Sequence, residues 1–277
     1  MIRLKYYIQL SRPVNCAIAF LSVFIGGFIT GTVHTMRPLL MAALSGTLIT
    51  AGANAINDVF DVEIDRRNKP HRPLPSGRLS GKQASLFAAS AMVLGVLLAV
   101  FINTAALFVA SVSAVLLYYY SRLLKRTAIW GNLTVALVTG TAFLYGGLAV
   151  GRWERPLIVA VFAFLFHWAR EIVKDMEDMK GDRESGIRTL PIQRGVRVSL
   201  VWITVILGCL ILFTWVPAWT GIFSRPYVWV VVPGVNGFIV VLLLSLWKNP
   251  SRRNLARWAV LMKVDMLIGL LAVYLGS

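Results

Sequence analysis

The residues best suited to chemistry are the acids, because they are few and gathered. Ten of the twelve Asp and Glu residues lie in two short segments, at residues 58–65 and 171–184. The first holds Asp58, Asp61 and Asp65, and the second holds Asp175, Asp178 and Asp182, with an offset of 117 residues at all three positions. On a helix, steps of three and four keep side chains on one face, so each segment presents a stripe of three carboxylates. Asn57 adds an amide aligned with Asp61 and Asp65. Like charges on one face repel, which calls for a compensating cation. The plain alternative is a solvated helix end that pairs with nearby Lys and Arg. Carboxylate oxygens without His or Cys beside them are hard ligands, suited to Mg²⁺, or Mn²⁺ in its place, rather than Zn²⁺. Mg²⁺ is usually held by one or two carboxylates together with substrate phosphates, so two such stripes suit a diphosphate bridged by metal ions.

Basic residues lie close to both stripes. Arg66 to Gly77 contains three prolines and a glycine, which predicts an ordered loop and makes Arg72 a candidate for binding phosphate oxygens. A second group follows three tyrosines, Tyr118 to Tyr120, and supplies Lys125 and Arg126; Lys174 adjoins the second stripe. Such cations stabilise a departing diphosphate. His167 has no second His near it, which argues against a metal or haem site, and Asp265 is expected to pair with a partner inside a helix bundle.

The elements that must position these groups are set by composition. Of 277 residues, 57% are hydrophobic and 14% charged, with a net charge of +16 and a mean hydropathy of +0.72. A soluble domain carries about 25% charged residues, so the composition rules out a disordered chain and argues against a soluble fold. The charges are spaced between long apolar runs, so nucleic acid is not an expected partner. Cys16 and Cys209 lie in apolar stretches and imply neither a disulfide framework nor a thiolate metal site. A spanning helix needs about 20 mainly apolar residues. Nine such stretches run over 14–33, 38–60, 84–102, 104–120, 129–150, 156–173, 198–217, 227–247 and 256–275, the third and fourth joined by a tight turn near Asn103. Alternate loops hold 22 Lys and Arg on the side of the N-terminus against four on the other. That bias predicts a cell-membrane protein with a cytoplasmic N-terminus, cytoplasmic acidic stripes and an external C-terminus. Much of the positive charge is then a topology signal with anionic membrane lipids as partners.

Asn57-Asp58-Val59-Phe60-Asp61-Val62-Glu63-Ile64-Asp65 resembles the first aspartate motif of the UbiA superfamily of intramembrane prenyltransferases, and Lys174-Asp175-Met176-Glu177-Asp178-Met179-Lys180-Gly181-Asp182 resembles the second. Arg12-Pro13-Val14-Asn15, Arg72-Pro73-Leu74-Pro75-Ser76-Gly77 and Thr189-Leu190-Pro191-Ile192 extend the likeness over essentially the whole chain. The resemblance implies an all-α membrane protein, a single domain over 1–277 with nine transmembrane helices around a central cavity and capped by cytoplasmic loops. It implies Mg²⁺-dependent transfer of a prenyl group from a prenyl diphosphate through an allylic carbocation. By that likeness Asn57, Asp61, Asp65, Asp175, Asp178 and Asp182 hold metal, and Asp58, Asp61 and Asp178 carry catalytic roles. From their positions beside the stripes, Arg72, Lys125, Arg126 and Lys174 are the candidates for binding diphosphate. An acceptor that carries a phosphate needs its own cationic site, for which Arg12, Asn15 and Arg67 are candidates. Arg66 to Gly77 and Arg170 to Asp175 look most like the digeranylgeranylglyceryl phosphate synthase branch, which implies a lipid acceptor; an aromatic acceptor such as 4-hydroxybenzoate or homogentisate is the alternative. A transporter is the rival class, but its acids would sit at the midplane, whereas here they cluster at one face.

Overall fold

The structure is a computed structural model that describes residues 2–31, 36–184 and 186–277, with the side chains of residues 2, 3, 67 and 68 outside the description. Its elements are helical among the described residues: α1 (Ile2–Ser11), α2 (Pro13–Phe28), α3 (Met36–Phe60), α4 (Val62–Asn68), α5 (Gly81–Val100), α6 (Thr104–Arg122), α7 (Trp130–Ala149), α8 (Glu154–Glu184), α9 (Leu190–Phe213), α10 (Val216–Trp219), α11 (Arg225–Val230), α12 (Gly237–Lys248) and α13 (Arg252–Gly276). Eight helical segments among the described residues are long and apolar enough to cross a membrane, and the pair Leu4–Ser11 and Pro13–Phe28, bent by 54°, makes up to nine. The all-helical membrane class expected from the sequence is therefore the class found.

The chain forms two compact units, one from Met1–Lys125 with Thr141–Leu157 and the other from Arg126–Gly140 with Ile158–Ser277. In the first, helices pack through small residues. A Cβ on Gly26 would lie 2.0 Å from the Phe143 carbonyl oxygen, and one on Gly146 would lie 1.8 Å from that of Val23, so α2 and α7 touch backbone to backbone. Apolar burial gives little drive between helices in lipid, and close approach through small residues supplies dispersion contact instead. Buried Ser45 adds polar glue, donating to the Gly95 carbonyl at 2.6 Å and accepting from the Tyr145 hydroxyl at 2.8 Å. The turn after α5 is as tight as expected: the Asn103 side chain caps α6 by accepting from the Ala106 N–H at 2.8 Å and donates to the Leu148 carbonyl at 2.9 Å.

In the second unit, α7 and α8 approach in the same manner, since a Cβ on Gly140 would lie 2.6 Å from the Ala160 carbonyl oxygen. Gly195, at φ +85°, kinks α9 near its start. The apolar run at 227–247 is not one regular helix. A π-helical turn, Val231–Asn236, joins α11 to α12, and the buried Asn236 amide there donates to the Thr214 hydroxyl at 3.0 Å. Asp265 differs from expectation: it is buried, and neither carboxylate oxygen has a hydrogen-bond partner among the described residues. The nearest cation in sequence, Lys263, is exposed, and residues two apart on a helix do not face each other.

Candidate active site

The first motif sits where α3 gives way to α4. Asp61, at φ −97° and ψ 2°, leaves the helical region and separates the two helices. The ladder survives the bend, since Asp61 N–H donates to the Asn57 carbonyl at 3.0 Å and Asp65 N–H donates to that of Asp61 at 2.8 Å. The expected single stripe is divided by the cations around it. On one side, Asn57 Nδ2 donates to Asp61 Oδ2 at 3.0 Å. Lys125 Nζ donates to Asp61 Oδ1 and, at 3.3 Å, to Asn57 Oδ1. On the other side, Arg72 Nη1 bridges Asp58 Oδ1 at 3.1 Å and Asp65 Oδ2 at 2.6 Å, and Arg12 Nη2 also donates to Asp58 Oδ1. The Asp58 and Asp65 side chains are only 4% and 7% exposed, so these carboxylates are nearly dry, while Arg72 and Arg12 keep partial access to solvent.

Each cation is placed by local sequence. Lys125 lies in a short 3₁₀ turn, Leu124–Arg126, directly after α6. Arg72 lies in the proline-rich loop, which is ordered as expected. The Ser76 N–H and hydroxyl both bond the Arg72 carbonyl, at 3.1 and 2.6 Å, and Gly77 takes φ +71°. Buried Leu74 and Leu79 anchor that loop beside Leu10 of α1 and Ala84 and Ala88 of α5. Ser80 then starts α5 with a capping box to Gln83, satisfying two orphan backbone donors reciprocally. Arg12 is the one described non-glycine residue with positive φ, at 54°, and forms the hinge between α1 and α2. Asn15 Nδ2 donates to Asn54 Oδ1 at 3.4 Å, one turn from Asp58 along α3. The Arg67 side chain lies outside the described residues.

The second motif lies on unbroken helix, because α8 runs 31 residues to Glu184, beyond the apolar stretch that ends near residue 173. Asp175, Asp178 and Asp182 therefore share one face by spacing. No ion pair reaches any of the three among the described residues. Lys174 instead donates to both oxygens of buried Glu171, at 3.0 and 2.8 Å, and Arg170 Nη1 adds a bond at 3.4 Å. Arg126 is exposed. Asp175 accepts from Asn132 Nδ2 of α7 at 2.7 Å. Asn132 and Glu171 were not among the candidates read from the sequence. Asn132 lies 43 residues from Asp175, and its only sequence signal is a polar side chain near the start of an apolar run.

Magnesium can be tested against this geometry. Asn57 Oδ1 and Asp61 Oδ1 both accept from the single ammonium of Lys125, so an amide and a carboxylate oxygen already converge on one centre of positive charge. Oxygen donors of this kind suit a hard divalent cation, which would have to take the place of the Lys125 ammonium between them. Among the described residues, no group of three His, Cys, Asp or Glu side chains is placed to hold a metal ion, so any ion here would draw its further ligands from water or substrate phosphate.

A family model described as the UbiA prenyltransferase family matches residues 19–267. The digeranylgeranylglyceryl phosphate synthase of Methanococcus aeolicus is 37% identical over 278 residues, covering 100% of this chain and 99% of that protein. That of Methanopyrus kandleri is 39% identical over 270 residues, covering 97% and 98%. A solved structure described by the words "Structural and mechanistic insights into the biosynthesis of Digeranylgeranylglyceryl phosphate synthase in membranes" matches with TM-score 0.89 at 34% identity, over 100% of this chain and 99% of that one. A UbiA homolog from Archaeoglobus fulgidus bound to DMAPP and Mg²⁺ matches with TM-score 0.74 at 21% identity, over 97% and 99%, and shares the fold.

Proposed function

The chain belongs to the UbiA prenyltransferase family, and on that footing we propose that it transfers a geranylgeranyl group from geranylgeranyl diphosphate to the free glycerol hydroxyl of geranylgeranylglyceryl phosphate. Full-length similarity to synthases of that name supports the lipid acceptor over an aromatic one. The observation that carries the chemistry is the convergence of Asn57 Oδ1 and Asp61 Oδ1 on one cation. Asn57, Asp61 and Asp65 in one unit, and Asp175, Asp178 and Asp182 in the other, are the proposed Mg²⁺ ligands, with Mn²⁺ a working substitute.

When bound, magnesium supplies positive charge to offset the charge developing on the leaving diphosphate. The protein's own cations extend that effect. Arg72 commits Nη1 to Asp58 and Asp65, and its other N–H groups remain to bind phosphate oxygens. Lys125, Arg126 and Lys174 contribute further charge. The C1–O bond of the donor breaks with its electron pair leaving on the diphosphate, giving an allylic cation. The glycerol oxygen then bonds to C1, and its proton passes to a carboxylate or to the released diphosphate. Arg12, Asn15 and Arg67 are proposed for the acceptor's phosphate end, with Asp58 the acidic group nearest to it. The N-terminus and both motifs are assigned to the cytoplasm.

The test is purified full-length protein in detergent with geranylgeranyl diphosphate, Mg²⁺ and a panel of acceptors, read by mass spectrometry. The expected product is the diether phosphate, formed only with Mg²⁺ and with geranylgeranylglyceryl phosphate. Preferential prenylation of 4-hydroxybenzoate or homogentisate would overturn the acceptor, and no Mg²⁺-dependent diphosphate release with any of them would overturn the reaction.

A further inference from the structure

Asn132 is buried in the first turn of α7, and its Nδ2 donates to Asp175 Oδ2 at 2.7 Å. The neighbourhood is arranged so that this neutral donor, rather than a cation, reaches Asp175. Lys174 adjoins Asp175 in sequence, yet its ammonium bonds both oxygens of Glu171, and Arg170 also bonds Glu171. Glu171 thereby engages the two nearest cations of α8. An ammonium on Asp175 would neutralise it and compete for its lone pairs. An amide fixes the carboxylate plane through one oxygen, leaves the net charge in place, and leaves the other oxygen without a protein donor among the described residues. The first motif is served differently, with Lys125, Arg72 and Arg12 all bonded to its carboxylates.

We propose that Asn132 is a positioning residue for the metal site of the second motif, holding Asp175 in its ligating orientation without discharging it. Partners that orient a metal's ligands typically change affinity about 10–100-fold when removed. This inference rests on the reading of Asp175, Asp178 and Asp182 as metal ligands, and the experiment separates the two. Mn²⁺ takes the same oxygen ligands and is titrated into detergent-solubilised full-length protein, with unbound Mn²⁺ read by electron paramagnetic resonance. Wild type, Asp175→Asn, Asn132→Leu and Asn132→Ser are compared. The expected result is that Asp175→Asn removes a class of sites, and that Asn132→Leu weakens that same class by about tenfold or more. If the leucine variant does not fold, the serine variant, whose shorter hydroxyl does not reach Asp175 in the same way, is judged by the same criterion. A kinetic reading runs alongside. The Mg²⁺ concentration for half-maximal rate should rise about tenfold, with kcat at saturating Mg²⁺ close to wild type. A residue that only supported the fold would lower the active fraction and leave that concentration where it was. If wild type binds no Mn²⁺, or Asp175→Asn binds like wild type, the metal reading falls. If Asp175→Asn loses its sites while both Asn132 variants keep wild-type affinity, the positioning role alone is overturned.

Discussion

Asp58 accepts from Arg12 and Arg72 through one oxygen, Oδ1, and Arg72 also holds Asp65. Removing one partner of a buried ion pair costs about 3–5 kcal/mol, chiefly because the other charge is left uncompensated. Arg72→Ala leaves one carboxylate with Arg12 alone and the other without a cation. We expect a loss near the lower end of that range, about 3 kcal/mol, seen as a lower Tm in detergent, together with loss of turnover. Adding Asp58→Asn should recover part of the Tm and none of the rate; no recovery would place the cost elsewhere than in the unpaired charge. Asp178 offers the contrast. It is exposed and carries no ion pair among the described residues, so Asp178→Ala should leave stability within about 0.5 kcal/mol while abolishing product formation. Asp61→Ala should abolish it too, with a clear loss in Tm, because the largely buried Lys125 ammonium loses its carboxylate. A near-wild-type rate in either variant would remove the assigned metal role. The spacing of these acids was legible in the sequence because helix periodicity fixes which side chains meet. Their division between Lys125 and the two arginines was not, because those cations arrive from other elements.

At the scale of elements, the join between α1 and α2 is held in a constrained backbone conformation. Arg12 holds φ +54° and ψ 78°, a left-handed conformation that costs a non-glycine residue about 1–3 kcal/mol. The proline that follows further disfavours right-handed helix at that residue. The surroundings hold it there: Asn54 Nδ2 donates to the Ser11 carbonyl at 2.8 Å, and the guanidinium grips Asp58. No bend was expected here from the sequence, and the tertiary bonds to Ser11 and Asp58 account for the bent span. Arg12→Ala and Arg12→Gly both lose the guanidinium, and only glycine relieves the backbone. The glycine variant should therefore melt above the alanine variant by an amount corresponding to about 1 kcal/mol. Equal Tm values would mean that the hinge stores no strain. Packing between α2 and α7 sets a harder limit. A methyl group at Gly146 would fall 1.8 Å from the Val23 carbonyl oxygen, so Gly146→Ala should sharply reduce the yield of folded protein, read by size-exclusion chromatography in detergent.

For the whole molecule, the sequence conveyed the class and the number of apolar segments because lipid makes both depend on composition. Residues such as Leu86, Phe108, Trp229 and Leu244 are exposed, as apolar side chains facing acyl chains must be. It conveyed less about what lies within each segment. The break at Val231–Asn236 and the extension of α8 past the apolar run depend on backbone bonding that hydropathy does not record. Orientation is a prediction from charge alone. Lys and Arg number 22 in the loops on one side and four on the other. The bias acts through short loops near the ends of the spans, and most of these residues lie within such loops. With the bent pair counted as one span, the eight long segments and that pair make up to nine among the described residues, an odd number, so the two termini should fall on opposite sides. A C-terminal alkaline phosphatase fusion should therefore be active in a bacterial host and a C-terminal green fluorescent protein fusion dark. A cysteine placed at exposed Lys69 should react with a membrane-impermeant thiol reagent only after the cells are opened, in a background where Cys16 and Cys209 are serine. An active phosphatase paired with labelling of that cysteine in intact cells would contradict an odd number of spans. A dark phosphatase with labelling in intact cells would reverse the orientation, and with it the assignment of both aspartate motifs to the cytoplasm.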